Sequence, residues 1–350
     1  MVEFLTEYGM FLAKVVTLVV AILFVFGGIA AAAARNRSRA GQEGDLRVRH
    51  LNEELDELKD ALADVIVPAA QRKKELKARR KQEKAEAKQK KKAGTEDKGK
   101  PRLFVLDFIG DVQASGVDNL RREISAVLQL AKQEDEILVR LESPGGLVHS
   151  YGLAASQLRR IRNQGIKLTV AVDEVAASGG YMMACIADRI VAAPFAVIGS
   201  IGVVAQIPNF HRLLKKNDID VELMTAGEYK RTLTMLGENT DKARAKFQQE
   251  LEDTHILFKN FVRDNRRSLD LEKVATGEHW FGSQAKELGL VDDLMTSDEL
   301  LQLRKDSQDI YQLEWHTKRK LTDRLGLAAE STFNRIVERW MHRGSQRQMH

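Results

Sequence analysis

A single cysteine in 350 residues leaves no intrachain disulfide to form, and Cys185 sits in an apolar stretch where a small core side chain is expected rather than a nucleophile. Histidine is sparse as well. The eight histidines are scattered, three of them in the last 35 residues, and no Cys/His cluster has the spacing of a metal site, so neither metal catalysis nor a cofactor is expected. Aromatic residues make up 6% of the chain and none interleave with its basic tract, which argues against a nucleic-acid partner.

What the chain has is sharply segregated. Val15 to Ala34 is a run of 20 residues without a charge, bracketed by Lys14 and Arg35, and long enough to cross about 30 Å of bilayer at about 1.5 Å per residue. A cleaved signal peptide is the alternative, and Ala30 to Ala34 offers small residues for it. Glu3 and Glu7 replace the expected basic n-region, however, and the run exceeds an ordinary h-region, so residues 1–34 read as a retained anchor. Leu51, Leu55, Leu58, Leu62 and Val65 then recur at helical spacing until Pro68, the pattern of an amphipathic helix or short coiled coil. Residues 72–100 carry 14 Lys/Arg against 5 Asp/Glu, too polar to form a core alone. Residues 35–100 therefore form a charged helical or disordered linker, either a solvated spacer or a segment drawn to anionic lipid.

From Pro101 the composition changes to alternating apolar strands and helices. Strands are expected at Leu103 to Ile109, Glu136 to Leu141, Leu168 to Val172, Arg189 to Ala192 and Val221 to Thr225, with helices at Val117 to Gln133, Leu153 to Asn163 and Tyr181 to Ala187. Repeated βα units with short glycine-rich connections make this an α/β domain with a mostly parallel sheet, over residues 101–298. Residues 299–350 add a C-terminal strand and a basic helix whose stripe is Leu321, Leu325, Phe333, Ile336, Val337 and Trp340. That helix docks on the domain or a neighbouring protomer, or lies on the membrane.

The chemistry gathers at the turns. Ser178, followed by Gly179 and Gly180, falls between a strand and a helix, where unpaired N–H groups and the helix dipole favour developing negative charge. Gly145-Gly146 likewise follows a strand and precedes a helix, so its amides can face a cleft. A serine hydroxyl needs a base. His149, His211, His255 and His279 lie in the region without a recognisable acid partner, whereas Lys230, next to an apolar strand, would act as base if desolvated. Ser200, in a glycine-flanked turn, is a candidate to orient that amine or only to satisfy backbone groups.

Together Ser143-Pro144-Gly145-Gly146, Ala177-Ser178-Gly179-Gly180-Tyr181, Ile198-Gly199-Ser200-Ile201-Gly202-Val203, Gly227-Glu228-Tyr229-Lys230 and Ala285-Lys286-Glu287-Leu288-Gly289-Leu290-Val291-Asp292 carry a resemblance. With 52 positions from Ser178 to Lys230 and 22 from Ser178 to Ser200, residues from about Leu103 to Met295 resemble a single copy of the signal peptide peptidase A family of membrane-associated serine peptidases. The resemblance implies a ClpP/crotonase-like fold of repeated ββα units and a Ser/Lys dyad. By it Ser178 matches the nucleophile, Lys230 the general base, Ser200 the hydroxyl holding the lysine, and Gly146 an oxyanion-hole amide. It also implies peptide substrates, short apolar or membrane-derived, and a homo-oligomeric ring in which serine and lysine can come from different protomers.

The expected location is the bacterial inner membrane. Family likeness puts the catalytic domain on the periplasmic side, while the basic residues after Ala34 favour the cytoplasmic side. Two other functions remain open: acyl-CoA chemistry on the same fold, which would not explain a Ser/Lys pair beside an anchor, and a catalytically silent ring-forming membrane scaffold.

Overall fold

The computed structural model describes residues 44–93 and 100–317, together with Met10 and Thr17. The expected anchor (Met10 and Thr17 apart) and the helix expected beyond Thr317 lie outside the described residues. Among the described residues, no helix is long and apolar enough to cross a membrane.

Strand β1 (Gly44–His50) leads into helices α1 (Leu51–Ile66) and α2 (Ala69–Ala93). The break between the helices is local: Val67 precedes Pro68 and is extended at ψ 131°, because the proline ring disfavours helical backbone before it. Arg72 reaches back to Asp60 and Asp64 at 2.7 and 2.8 Å, and Arg79 to Asp56 at 3.1 Å. Within the expected linker, the described residues are thus strand at Gly44–His50 and helical over Leu51–Ile66 and Ala69–Ala93, with ion pairs joining the two helices.

The chain then runs through β2 (Arg102–Ile109), α3 (Val117–Val127), β3 (Glu136–Glu142), α4 (Val148–Asn163), β4 (Lys167–Val172), β5 (Val175–Ala177), α5 (Gly179–Ala184), β6 (Arg189–Ala192) and β7 (Val197–Gly199). It continues with α6 (His211–Lys216), α7 (Asp241–Asn265), α8 (Leu271–Val274), β8 (His279–Phe281), α9 (Gly282–Glu287), β9 (Asp293–Leu294), α10 (Ser297–Arg304) and β10 (Asp309–Thr317). Seven strands form one sheet in the order β1-β10-β2-β3-β4-β6-β9, and β5-β7-β8 form a second. From β10 to β9 every pairing in the larger sheet is parallel. This is a mixed α/β fold with a parallel sheet, as expected.

Strand periodicity divides the core. On β2, Phe104, Leu106 and Phe108 face the cluster formed with Leu120 and Ile124 of α3 and Leu158 of α4, while Leu103 and Val105 face Leu51 of α1 and Leu300 and Leu301 of α10. Cover on both faces explains why the sheet's strands read as continuous apolar runs.

Two expectations change. The helix from Val117 ends at Val127 rather than Gln133, because the Lys132 N–H and the Arg102 guanidinium converge on the buried carboxylate of Asp135 and turn the chain. Val221 to Thr225 is not a strand: all five residues are exposed and pair with no strand among the described residues. One compact unit of the chain runs from Leu46 to Trp315, with β10 added to β2 and Leu51 of α1 packed with Ile310 of β10.

Candidate active site

The larger sheet hands its β3 end to the smaller one. Beyond β3, Ser143 bridges Ala176: its N–H donates to Val175 O at 2.8 Å, and Ala177 N–H donates back to Ser143 O at 3.0 Å. Strand β5 pairs in parallel with β7, Ala177 opposite Gly199, so the next residues, Ser178 and Ser200, leave the sheet at one edge. Both have left-handed backbones, φ 52° and 50°, a conformation that a non-glycine residue holds only when its surroundings impose it, and one that gathers at functional sites. What imposes it is visible: Ser178 N–H donates to Gly199 O at 2.8 Å and Ser200 N–H to Glu278 O at 2.7 Å.

Ser178 caps α5 and is half-buried. With its amide committed to Gly199, it is not an oxyanion donor. Of the neighbouring amides, those of Gly146 and Gly179 have no backbone acceptor outside regular elements among the described residues, and Gly179 opens α5, where an N–H has no intrahelical partner. Both glycines line the small pocket over Ser178, with Val148, Met182, Val203 and Phe258 as apolar walls. Gly145 brings the loop close: at φ +91°, a Cβ there would lie 2.7 Å from both Ala177 O and Ser178 Cβ. The arrangement offers a hydroxyl on a strained turn and two N–H donors around a small apolar pocket.

Lys230 is not among the residues lining it. It is exposed, in an irregular segment after α6, where its N–H donates to Gly227 O at 3.2 Å. The four histidines do not line the pocket either; His255 Nε2 lies 3.2 Å from Ile201 O. Cys185 is buried, and burial pushes its thiol up to about 12, which fits a core residue rather than a nucleophile.

Sequence reasoning missed two contributors. Gly179, rather than Ser178, is the free amide, which could be foreseen only from the β5–β7 register. Tyr151, fully buried on α4, meets Ser143 Oγ at 2.6 Å and donates to Asp111 O at 2.8 Å. Its signal is a tyrosine on the same helical face as Ala154, Ala155 and Leu158, where a buried hydroxyl needs a partner.

These turns lie within matched stretches of known families. Residues 3–158 match the model described as peptidase family S49 N-terminal and residues 160–310 that of peptidase family S49. A Haemophilus influenzae chain called "Probable protease SohB" is 54% identical over 349 residues, covering 98% of each chain. A chain of the same name from Buchnera aphidicola subsp. Acyrthosiphon pisum is 58% identical over 225 residues, covering 64% of this chain and 67% of its own. "Protease 4" of Haemophilus influenzae is 26% identical over 61% of this chain and 36% of its own. Near full-length identity and two adjoining domain matches lead to one conclusion: the chain belongs to peptidase family S49.

Proposed function

We propose that this chain is a membrane-anchored serine endopeptidase working through an acyl-enzyme on Ser178, with Lys230 as general base. The observation that carries the reading is the left-handed Ser178 at the end of β5, with the free amides of Gly146 and Gly179 facing the same pocket. Neutral Lys230 takes the Ser178 proton as the oxygen attacks a peptide carbonyl, and the two amides receive the oxyanion, at about 3 kcal/mol per donor. The lysine gives the proton to the departing amine, then draws one from the water that releases the acyl group. Ser200, leaving β7 beside Ser178, holds the amine in place. The parallel sheet with β5 stitched across its end fits the ClpP/crotonase-like plan that the family resemblance implies.

In one protomer Lys230 is solvated, and a lysine serves as base near neutral pH only when its amine is desolvated. We therefore place the assembled site between protomers of a ring. The segment leading to Lys230 supports this: Val204 is 91% and Met224 86% exposed, with Leu213, Ile219 and Leu223 exposed between them, apolar side chains that an interface would cover. Apolar walls on the pocket favour short apolar or membrane-derived peptides, with residues 1–34 holding the enzyme at the bacterial inner membrane and the catalytic domain on its periplasmic side.

Hydrolysis of apolar peptides by wild type, Ser178→Ala and Lys230→Ala tests the dyad: both variants should lose turnover, and full activity in either refutes it. The exposed position of Lys230 in one protomer also favours a second reading, a silent ring-forming scaffold. Covalent labelling of Ser178 by a fluorophosphonate separates the two, since a scaffold without a competent site takes up none.

A further inference from the structure

We propose that Tyr151 is a positioning residue for this hydrolysis: its hydroxyl fixes the Gly145–Gly146 turn and its ring fixes the start of α5, so that the two donor amides stay aimed at one point. The proposal rests on the reading of Ser178 as nucleophile and concerns what keeps that site in shape.

The hydrogen bonds have one consistent direction. A phenol has a single proton, and Tyr151 gives it to Asp111 O at 2.8 Å. At the 2.6 Å contact, the Ser143 hydroxyl must therefore donate to the Tyr151 oxygen. Ser143 Oγ is then left to accept the Gly145 N–H, at 3.1 Å. The chain runs from Gly145 N–H through Ser143 and Tyr151 to the Asp111 carbonyl, and all three side-chain and amide members are buried. Burial holds the phenol above its ordinary value, so it keeps the proton it donates.

Both ends of the chain bear on the turn. Beyond Asp111, Val112 O accepts the Leu147 N–H at 2.8 Å and packs so closely on Gly146 that a Cβ there would lie 2.2 Å away. The Tyr151 ring presses on the other donor: a Cβ at Gly179 would lie 2.4 Å from Tyr151 Cγ. One side chain thus touches the backbone of Gly179 and, through Ser143, sets Gly145, the residue next to the second amide. Without the hydroxyl, buried Ser143 loses its acceptor and the half-buried link to Asp111 O is broken, so the turn is free to shift, and small displacements at such donors cost rate steeply.

The experiment is saturation labelling of the full chain with a fluorophosphonate, reading the maximal inactivation rate and the half-saturating concentration separately, with thermal unfolding alongside. Tyr151→Phe keeps the ring, and Ser143→Ala breaks the same chain without touching the aromatic core. Each should lower the maximal rate about tenfold with half-saturation unchanged within about twofold, and the double variant should fall no further than the lower single one. Thr169→Val removes another buried hydrogen bond, to Glu136 at the opposite end of the strands, and should keep the wild-type rate. Wild-type rates in Tyr151→Phe overturn the proposal, as does an equal loss in Thr169→Val. Should Tyr151→Phe not fold, Ser143→Ala decides alone. Failure of the wild type to label, or labelling that persists in Ser178→Ala, instead removes the nucleophile reading and this assignment with it.

Discussion

Glu123 makes the stability of this fold depend on pH in an unusual direction. Its carboxyl is 4% exposed on α3, accepts the Trp315 N–H through Oε1 at 2.7 Å, and has no partner for Oε2 among the described residues. Burial, with small additions from Asp107 and Glu314, raises it from its ordinary 4.5 to about 7. In the unfolded chain the group ionises above about 4.5, whereas the folded chain keeps its proton until about 7. Between those values the folded state holds more protons, so stability contributed by this group is complete at low pH and is lost as pH rises through 7. At about 1.4 kcal/mol per tenfold change in proton affinity, a shift from 4.5 to about 7 makes the loss about 3.5 kcal/mol by pH 8. Glu123→Gln keeps the acceptor for Trp315 and abolishes the titration, so it should stabilise the protein by up to that amount at pH 8 and change little at pH 5. Denaturant unfolding followed by tryptophan fluorescence at both pH values gives the difference between the two proteins, in which contributions from histidines and other carboxylates cancel. A difference that does not vary with pH would refute the argument, because only a charge held out of water produces the slope.

Other outcomes follow from the same geometry. Gly145→Ala forces a side chain into φ +91° and against Ala177 O and Ser178 Cβ; about 1–3 kcal/mol of backbone strain plus the clash should abolish fluorophosphonate labelling while far-ultraviolet circular dichroism stays unchanged. Ile124→Ala empties a fully buried position between α3 and the sheet and should cost about 2–5 kcal/mol in denaturant unfolding. Val204→Asp with Met224→Asp, both on highly exposed positions, should reduce assembly in analytical ultracentrifugation and peptide hydrolysis with it, while leaving thermal stability of the separated protomer near the wild-type value.

The central strands β2, β3, β4 and β6 of the larger sheet were readable because burial on both faces writes them as mainly apolar runs, as in Leu103 to Leu106, whereas the polar β1 and the two-residue β9 were not. The smaller sheet was not: β5, β7 and β8 have three residues each, too few for periodicity to register, yet their pairing decides that Ser178 and Ser200 emerge together and that the Ser178 amide is occupied. Val221 to Thr225 was misread for the converse reason, since an apolar run resembles a strand whether its partner is a neighbouring strand or another surface. The serine and glycine turns were legible as motifs, because residue type at a strand end is local. Tyr151 was legible only as core, since its hydroxyl partners at Asp111 and Ser143 are brought to it by two different loops.

The two halves of the proposed dyad differ in what holds them. Ser178 and its donor amides are fixed by hydrogen bonds within one protomer, to Gly199 at 2.8 Å and through Ser143 at 3.1 Å, so the nucleophile and its oxyanion site exist at any protein concentration. Lys230 is exposed in the protomer, and on the proposed dyad its burial waits on a second surface. Dilution should therefore separate the chemistry into two parts. Peptide hydrolysis per subunit should fall as the assembly dissociates, because the base leaves water only at a junction, while circular dichroism and thermal unfolding of the protomer stay as they were. Hydrolysis per subunit that stays constant from the assembled to the fully dissociated state would mean that one chain desolvates its own lysine, and Lys230 would then have to reach Ser178 within the protomer.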